Sequence, residues 1–255
     1  MSCWRDCIFD LYGTLVDIHT DETSPGLWEA MTEHYRRWGA LYAPKELHAA
    51  YRRIIREMEW DAAPIRRDVH ETHPEIQIEF VFYRLYREKG VDAGLDQAVE
   101  TGRTFRRLST KFLRLYDGAR ELLEALRVNR QRVWLLSNAQ GIFTRDELDR
   151  LGVTGLFDGI YLSSDYGVKK PDRRFFEILL HEQSIDPAEA VMVGNDGVCD
   201  IAGAKAVGLA TVYIRSSLSP IEPLPKADFM LEEMDFAQVR SILLSTPIRS
   251  QKNLL

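Results

Sequence analysis

The second half of the chain alternates between short apolar runs and amphipathic segments, and this alternation constrains the fold most strongly. The apolar runs predict buried strands, and the segments between them have apolar residues at helical spacing. The predicted strands are residues 132–136, 159–162, 190–193, 210–214 and 228–231. Strands and helices that alternate in this way form a parallel sheet with helices on both faces. We therefore expect an α/β fold.

One further predicted strand, residues 7–9, lies near the start of the chain and is followed at once by Asp10. Gly13 permits the sharp turn that must come next. Open α/β sheets bind their ligands at the carboxyl ends of the strands, where this turn would hold the Asp10 carboxylate. Because a buried carboxylate needs a partner or a function, Asp10 is the first candidate site residue. On this stretch alone, Asp10 could equally serve only as a hydrogen-bond acceptor for the turn.

Residues 18–116 show a different pattern, which is almost entirely helical. The helices predicted there cover residues 27–38, 44–59, 75–89 and 95–114, and no strand is expected between them. Whole subdomains can be inserted at loops whose ends lie close together. We therefore expect residues 1–17 and 117–255 to form the α/β core, and residues 18–116 to form an inserted helical cap. A cap beside Asp10 would exclude water from it.

The composition and net charge limit the classes of partner that we expect. Hydrophobic residues make up 45% of the chain, and the formal net charge is −6. A mildly acidic chain gives no electrostatic reason to expect a nucleic acid or an anionic membrane as partner. No apolar run reaches the roughly 18 residues of a membrane span, and the three cysteines fit no zinc pattern. We expect a reduced, cytoplasmic protein, and the sequence leaves open whether it is a monomer or a homodimer.

Polar residues follow four of the predicted strands. In chain order they are Asp10; Ser137 and Asn138; Lys170; and Asn195, Asp196 and Asp200. Because the strands of a parallel sheet all point the same way, these residues would meet in one crevice. Carboxylates, a hydroxyl and an ammonium together suit an anionic substrate and a divalent cation.

With these four motifs in this order, the chain resembles the haloacid dehalogenase superfamily, in the subgroup whose Rossmann-like core carries a helical cap after the first strand. The likeness covers essentially the full length. It implies that Asp10 is the nucleophile, which in the phosphatases of the family forms an aspartyl-phosphate that water hydrolyses. It also implies that Thr14 and Ser137 hydrogen-bond the nucleophile or the transferring group, and that Lys170 neutralises charge.

The same likeness implies a Mg²⁺ ion held by Asp10, by the backbone carbonyl of Tyr12 and by acids of the last motif. Asn195 and Asp196 compete for the nearest position, and we prefer Asp196 because a carboxylate binds Mg²⁺ more strongly than an amide does. Asp200 opens a predicted helix, so it is a candidate N-cap as well as a metal anchor.

Ser137 and Asn138 are candidates for substrate binding. Both residue types are also common helix caps, which is the alternative for these two residues taken alone.

The chain departs from the phosphatases of this family at Tyr12, where they usually carry an aspartate that protonates the leaving group. A phenol, with an ordinary pKa of about 10, is a poor proton donor at neutral pH. The sequence Asp-Leu-Tyr-Gly-Thr at residues 10–14 also resembles that of the L-2-haloacid dehalogenases. In those enzymes the aspartate attacks carbon and displaces halide without a metal.

The last motif favours the phosphatases. Dehalogenases resemble Ser-Ser-Asn-Ala-Trp-Asp there, whereas this chain has Asn195, Asp196 and Gly197 in place of the first three residues. The dehalogenases also carry a tyrosine six residues after the motif lysine, and here that residue is Phe176. We therefore expect a Mg²⁺-dependent phosphatase for a small phosphorylated metabolite. A metal-free dehalogenase is the alternative, and a non-catalytic binding protein is a third.

Overall fold

A computed structural model describes residues 4–62, 73–221 and 226–244 of the protein. The strands in these ranges are β1 (Asp6–Phe9), β2 (Val16–Thr20), β3 (Thr110–Leu115), β4 (Arg132–Ser137), β5 (Gly159–Leu162), β6 (Ala190–Gly194), β7 (Ala210–Ile214) and β8 (Phe229–Leu231). Six of them form a sheet in the order β5-β4-β1-β6-β7-β8. All neighbouring strands in this sheet are parallel.

Helices connect these strands and also fill the long segment between β2 and β3. They are α1 (Pro25–Arg37), α2 (Pro44–Ala62), α3 (Glu79–Glu88), α4 (Leu95–Ser109), α5 (Ala119–Val128), α6 (Gly141–Leu151), α7 (Ser163–Tyr166), α8 (Arg173–Glu182), α9 (Gly203–Ala206) and α10 (Phe236–Leu244). Short helical turns cover Thr154–Leu156, Pro187–Glu189 and Gly197–Ala202. No helix in the described ranges is both long enough and apolar enough to cross a lipid bilayer.

Strand β1 lies in the middle of the sheet and is fully buried. Its side chains alternate between the two faces, as they do in any strand. Phe9 packs into the core that includes residues of α5 and α10, whereas Ile8 packs into a second core with residues of α8. This confirms the predicted parallel sheet with helices on both faces.

The register of the sheet aligns the strand ends that matter for the site. Phe9 of β1 lies opposite Leu135 of β4 on one side and opposite Val193 of β6 on the other. The segments that follow these three strands therefore leave the sheet at the same edge.

Helices α1–α4, which we call the helical layer, have a hydrophobic core of their own. Its centre is a group of aromatic rings that includes Trp28, Phe82 and Phe105, with neighbouring centroids 5.5–5.7 Å apart. Phe143 of α6 packs into this same core. One residue before α6, the Gln140 side chain donates to the backbone oxygen of Ile76 and accepts from a backbone N–H of the layer. The two parts of the molecule are thus joined by both apolar and polar contacts.

A two-stranded antiparallel ribbon, β2 and β3, carries the chain into and out of the helical layer. Ile18 lies opposite Leu113 in it. The expectation that residues 18–116 contain no strand was therefore wrong, and the helix predicted over 95–114 ends at Ser109. The short β2 gains its stability from pairing with a segment far along the chain, which a local pattern does not reveal. The predicted boundary at 17/18 falls within β2, and the division into core and cap stays a prediction.

Candidate active site

Asp10 comes directly after β1, and only 8% of its surface is exposed. Its Oδ1 atom accepts hydrogen bonds from Ser137 Oγ at 3.1 Å and from Lys170 Nζ at 2.8 Å. Its Oδ2 atom lies 3.4 Å from Thr14 Oγ1. The structure thus brings together four predicted site residues from three separate parts of the sequence.

Gly13 makes the turn after Asp10 possible. Its φ is +82°, a left-handed conformation that favours glycine. A Cβ atom on Gly13 would lie 2.4 Å from Asn195 Nδ2, which is far inside contact distance. The turn and the last motif can approach each other only because this residue has no side chain.

Lys170 is buried at the centre of the site, and three acceptors surround its ammonium. Nζ donates to Asp10 Oδ1 at 2.8 Å, to Asp200 Oδ1 at 2.7 Å and to the backbone oxygen of Leu136 at 2.8 Å. All three of its protons are therefore engaged. Burial by itself would lower the pKa of Lys170, but the carboxylates of Asp10 and Asp200 outweigh burial and raise it. Lys170 is thus a fixed positive charge.

Asn138 positions this lysine. Its Nδ2 donates to the backbone oxygen of Lys170 at 2.9 Å, and its Oδ1 accepts from the backbone N–H of Lys170 at 2.8 Å. The residue that precedes α6 as its N-cap is Gln140, so the alternative role of Ser137 and Asn138 as caps does not apply. Asn138 also lines the cavity described below, so its predicted contact with substrate stays a prediction.

Asp200 is buried, and both of its carboxylate oxygens are used. Oδ1 accepts from Lys170, and Oδ2 accepts from the backbone N–H of Asp196 at 2.9 Å. Burial raises the pKa of the Asp200 carboxyl above its ordinary value, although the Lys170 ammonium opposes this shift. Asp200 is not the N-cap that the sequence suggested, because it lies inside the turn Gly197–Ala202.

Asp196 is the N-cap of that turn. Its Oδ1 accepts hydrogen bonds from the backbone N–H groups of Val198 and Cys199, each at 2.8 Å. Asn195, in contrast, is buried, and its Oδ1 lies 3.2 Å from Thr14 Oγ1. The structure therefore places Asn195 beside Thr14, and the choice of Asp196 over Asn195 as the nearer metal ligand stays a prediction.

The oxygen atoms around Thr14 suit a cation. Asp10 Oδ2 and Asn195 Oδ1 both face the Thr14 hydroxyl, whose single proton can satisfy only one of them. Mg²⁺ prefers oxygen ligands of this kind. Within the described ranges, no three His, Cys, Asp or Glu side chains are grouped so that they could hold a metal ion. The residues thus fit a weakly held Mg²⁺, because one ligand is an amide and Asp10 is already paired with Lys170.

A cavity of about 170 Å³ lies at this edge of the sheet. Its lining includes every predicted site residue except Thr14, and these are Asp10, Tyr12, Ser137, Asn138, Lys170, Asn195, Asp196 and Asp200. We call it the catalytic cavity. A second cavity of about 370 Å³, the outer cavity, shares Tyr12 and Asn138 with it and is lined by both the core and the helical layer.

The Tyr12 hydroxyl belongs to a buried polar group that sequence reasoning missed. It donates to Glu147 Oε2 and lies 3.0 Å from Thr144 Oγ1. Arg106 of α4 donates from Nε to Glu147 Oε1 at 2.6 Å. Burial and the Glu147 carboxylate raise the pKa of Tyr12 well above its ordinary value. The sequence does contain a signal for this group. Glu147 lies on the same face of α6 as Thr144 and Leu148, and the amphipathic pattern of α6 predicts that this face is buried.

Comparison with known proteins agrees with this geometry. Residues 6–208 match the family model described as haloacid dehalogenase-like hydrolase. The chain belongs to this family of hydrolases. The fold and the family predicted from the sequence are therefore confirmed.

Curated relatives of this hydrolase include phosphatases and a haloacid dehalogenase. It is 28% identical over 155 residues to a phosphoserine phosphatase of Thermus thermophilus, covering 58% of this chain and 62% of that one. It is 27% identical over 232 residues to a glyceraldehyde 3-phosphate phosphatase of Pyrococcus furiosus, covering 89% and 88%. It is 25% identical over 224 residues to (S)-2-haloacid dehalogenase 4A of Burkholderia cepacia, covering 86% of each. The chain spans only 46% to 62% of the length of the first relatives.

Solved structures of the family share the fold. The 2-haloacid dehalogenase of Pseudomonas syringae pv. Tomato DC3000 aligns with a TM-score of 0.61 at 19% identity, covering 95% of this hydrolase and 98% of that chain. A haloacid dehalogenase-family phosphatase of Thermococcus onnurineus aligns with a TM-score of 0.58 at 19% identity, covering 96% and 100%. At such identities the likeness concerns the fold alone.

Proposed function

We propose that this hydrolase is a phosphatase that acts on a small phosphorylated metabolite through an aspartyl-phosphate on Asp10. The observation that carries the proposal is the Asp10 carboxylate at the wall of the catalytic cavity, held through Oδ1 by Ser137 and Lys170. Several curated relatives are named as phosphatases, which supports phosphate rather than halide chemistry.

The chain's own residues account for the main requirements of the reaction. A carboxylate oxygen of Asp10 attacks phosphorus, and the bond from phosphorus to the leaving oxygen breaks. The buried Lys170 ammonium offsets the repulsion between this carboxylate and the phosphate dianion. Water then attacks the phosphorus of the aspartyl-phosphate, and the Asp10 carboxylate is regenerated. Thr14 and Ser137 hold the carboxylate in one orientation during both steps.

The proposal includes a Mg²⁺ ion. Asp10 and Asn195 would hold it, and the Tyr12 backbone carbonyl stays a predicted ligand. When bound, the ion would neutralise negative charge on the transferring phosphate. Asp196 and Asp200 would contribute mainly negative potential, since both are engaged by backbone N–H groups.

A metal-free haloacid dehalogenase is the second candidate. The observation in its favour is that Tyr12 stands where the phosphatases of the family usually carry the aspartate that protonates the leaving group. The Burkholderia cepacia relative supports it as well. In either case we propose a small anionic substrate, with neither a nucleic acid nor a membrane as partner. A cytoplasmic location and a monomeric or homodimeric state stay predictions.

One experiment separates the candidates. The purified protein is incubated with 4-nitrophenyl phosphate and Mg²⁺, and separately with 2-chloropropionate and a chelator. We expect phosphate release in the first reaction, no halide in the second, and loss of the activity in Asp10→Asn. Asp17→Asn is the matched control, because Asp17 is also 8% exposed but is bonded to Arg114 outside the site. Halide release without phosphate release would overturn the proposal. If neither phosphate nor halide is released, the proposal is also wrong and a binding protein is favoured.

A further inference from the structure

We infer that the substrates are aryl phosphates, in which a weakly basic phenol departs as an anion without receiving a proton from the enzyme, and that the aryl body carries no second anionic group. This inference rests on the proposed phosphatase function. It follows from how the proton of Tyr12 is used and from the charges around the outer cavity.

The leaving oxygen must lie on the side of phosphorus away from Asp10, because the attacking and leaving oxygens are roughly in line. Tyr12 lines both the catalytic cavity and the outer cavity, so its side chain borders the path of the leaving group. The hydroxyl of Tyr12, however, donates to Glu147. A phenol has one proton, and this one is directed away from the substrate.

Glu147 is held as a hydrogen-bond acceptor. It is buried, and Arg106 donates to it from Nε at 2.6 Å and from a second guanidinium nitrogen at 3.5 Å. Because the Arg106 guanidinium stays charged in proteins, Glu147 accepts hydrogen bonds from both Arg106 and Tyr12 and has no donor role toward Tyr12. The Arg106 guanidinium also lies over the rings of Tyr12 and Phe143, at 5.6 and 5.3 Å from their centroids. These contacts fix the orientation of Tyr12.

Besides Asp10, the cavity is lined by the Lys170 ammonium and the Asp200 carboxylate, which are fully used by contacts within the protein, and by Asp196, which uses one oxygen in this way. All three protons of Lys170 are directed to fixed acceptors. Asp200 accepts a hydrogen bond at each oxygen, and Asp196 accepts two at Oδ1. None of these three donates toward the leaving group. The leaving group must therefore be stable as an anion. A phenolate meets this requirement, whereas an alkoxide does not.

The lining of the outer cavity indicates the chemistry of the group that is bonded to the phosphate in the substrate. Its apolar walls include Ile18, Ile78 and Phe143, which suit an aromatic or aliphatic group. Arg106 is already paired with Glu147, and the Glu22 carboxylate also lines the cavity. Because Arg106 is paired with Glu147, this wall offers a second anion on the substrate no unpaired cation and places the acidic Glu22 side chain beside it. Arg106 is therefore not available to bind a second anionic group of the substrate.

Atoms and charges balance without a proton donor. The Asp10 carboxylate forms a bond to phosphorus as the bond to the phenolic oxygen breaks, and the electron pair leaves with that oxygen as phenolate. Water then attacks phosphorus and the bond to Asp10 breaks. One proton of the water stays on the attacking oxygen, and the other passes to another oxygen of the released phosphate. Water is the only co-reactant.

The test is the dependence of kcat/KM on the pKa of the leaving phenol, measured on the full-length protein with Mg²⁺. We expect kcat/KM to fall about 100-fold or more between 4-nitrophenyl phosphate and phenyl phosphate, because nothing assists departure. Ethyl phosphate should be slower still. A shallow dependence, with phosphate released equally from all esters, would overturn the inference and leave the phosphatase intact. Absence of phosphate release from every ester would instead overturn the proposed function.

Two variants test whether Tyr12 is the reason for the steep dependence of kcat/KM on the pKa of the leaving group. Tyr12→Asp supplies a carboxylic acid at this position, so the dependence should become shallower and ethyl phosphate turnover should rise. Tyr12→Phe removes the proton and should keep the steep dependence. If Tyr12→Phe converts a shallow dependence into a steep one, the tyrosine is itself the proton donor and the inference is wrong. For the charge, kcat/KM for 4-carboxyphenyl phosphate should lie about tenfold below the value that the pKa of its phenol predicts from the neutral esters, and a value on the line of the neutral esters would contradict it.

Discussion

The Asn138 side chain is hydrogen-bonded to both backbone polar groups of Lys170. Its Nδ2 donates to the Lys170 oxygen at 2.9 Å, and its Oδ1 accepts from the Lys170 N–H at 2.8 Å. This pair fixes the loop that delivers the ammonium to Asp10. We expect Asn138→Ala to lower stability by about 1–3 kcal/mol, since it removes two hydrogen bonds, and to lower kcat about tenfold or more through misplacement of the ammonium. Urea unfolding and steady-state kinetics measure the two effects. Asn129→Ala, which loses only an exposed bond to Ala125, should change neither.

The Lys170–Asp200 pair is buried, with about 1% of each side chain exposed. Lys170→Met would leave the carboxylates of Asp10 and Asp200 facing each other, and we expect it to cost about 3–5 kcal/mol of unfolding free energy. The double variant with Asp200→Asn removes one of these charges. It should be more stable than Lys170→Met alone, which equilibrium unfolding in urea can show. Additive losses from the two substitutions would mean that the pair is not coupled.

Asn195 and Asp196 give opposite predictions for Mg²⁺. Asn195→Asp places a charge beside Asp10 Oδ2, so the concentration of Mg²⁺ needed for half-maximal activity should fall about tenfold. Asp196→Asn should change that concentration little, and it should cost at most about 1 kcal/mol of stability because the residue is an N-cap that asparagine can replace. The opposite pattern would show that Asp196 is the ligand after all.

Gly13 and Gly90 provide a matched test of the turn. Both have a left-handed φ, +82° and +72°, but a Cβ on Gly90 would meet nothing within 4 Å. Gly90→Ala should therefore cost only about 1 kcal/mol, the conformational penalty. Gly13→Ala should cost clearly more and should abolish activity, because Asn195 would be displaced. Thermal unfolding and the phosphatase assay measure both, and equal losses would argue against the clash.

Much of the site could be predicted because several functional residues lie where a buried apolar run ends. Asp10, Ser137 and Asn195 directly follow or end strands whose burial is evident from sequence, and parallel pairing brings such residues to one edge. The roles of Asn195 and Asp196 could not be predicted, since they depend on where the following turn begins. That start is set by the capping bonds of Asp196.

Contacts between distant segments of the chain could not be predicted from local sequence patterns. The pairing of β2 with β3 joins residues almost a hundred positions apart, and each strand is too short to be recognised alone. The same holds for Tyr12, Arg106 and Glu147, which come from the turn after β1, from α4 and from α6. Each of these residues has an ordinary explanation by itself, and only their contact gives them a common role.

Phe143 and Gln140 sit at the start of α6 but make their main contacts in the helical layer. A shortened protein from which residues 21–109 had been excised would present this phenylalanine ring to solvent and leave the glutamine amide without its backbone partners. Such a deletion product would be expected to self-associate. Studies of the hydrolase should therefore use point variants of the intact chain rather than separately expressed halves.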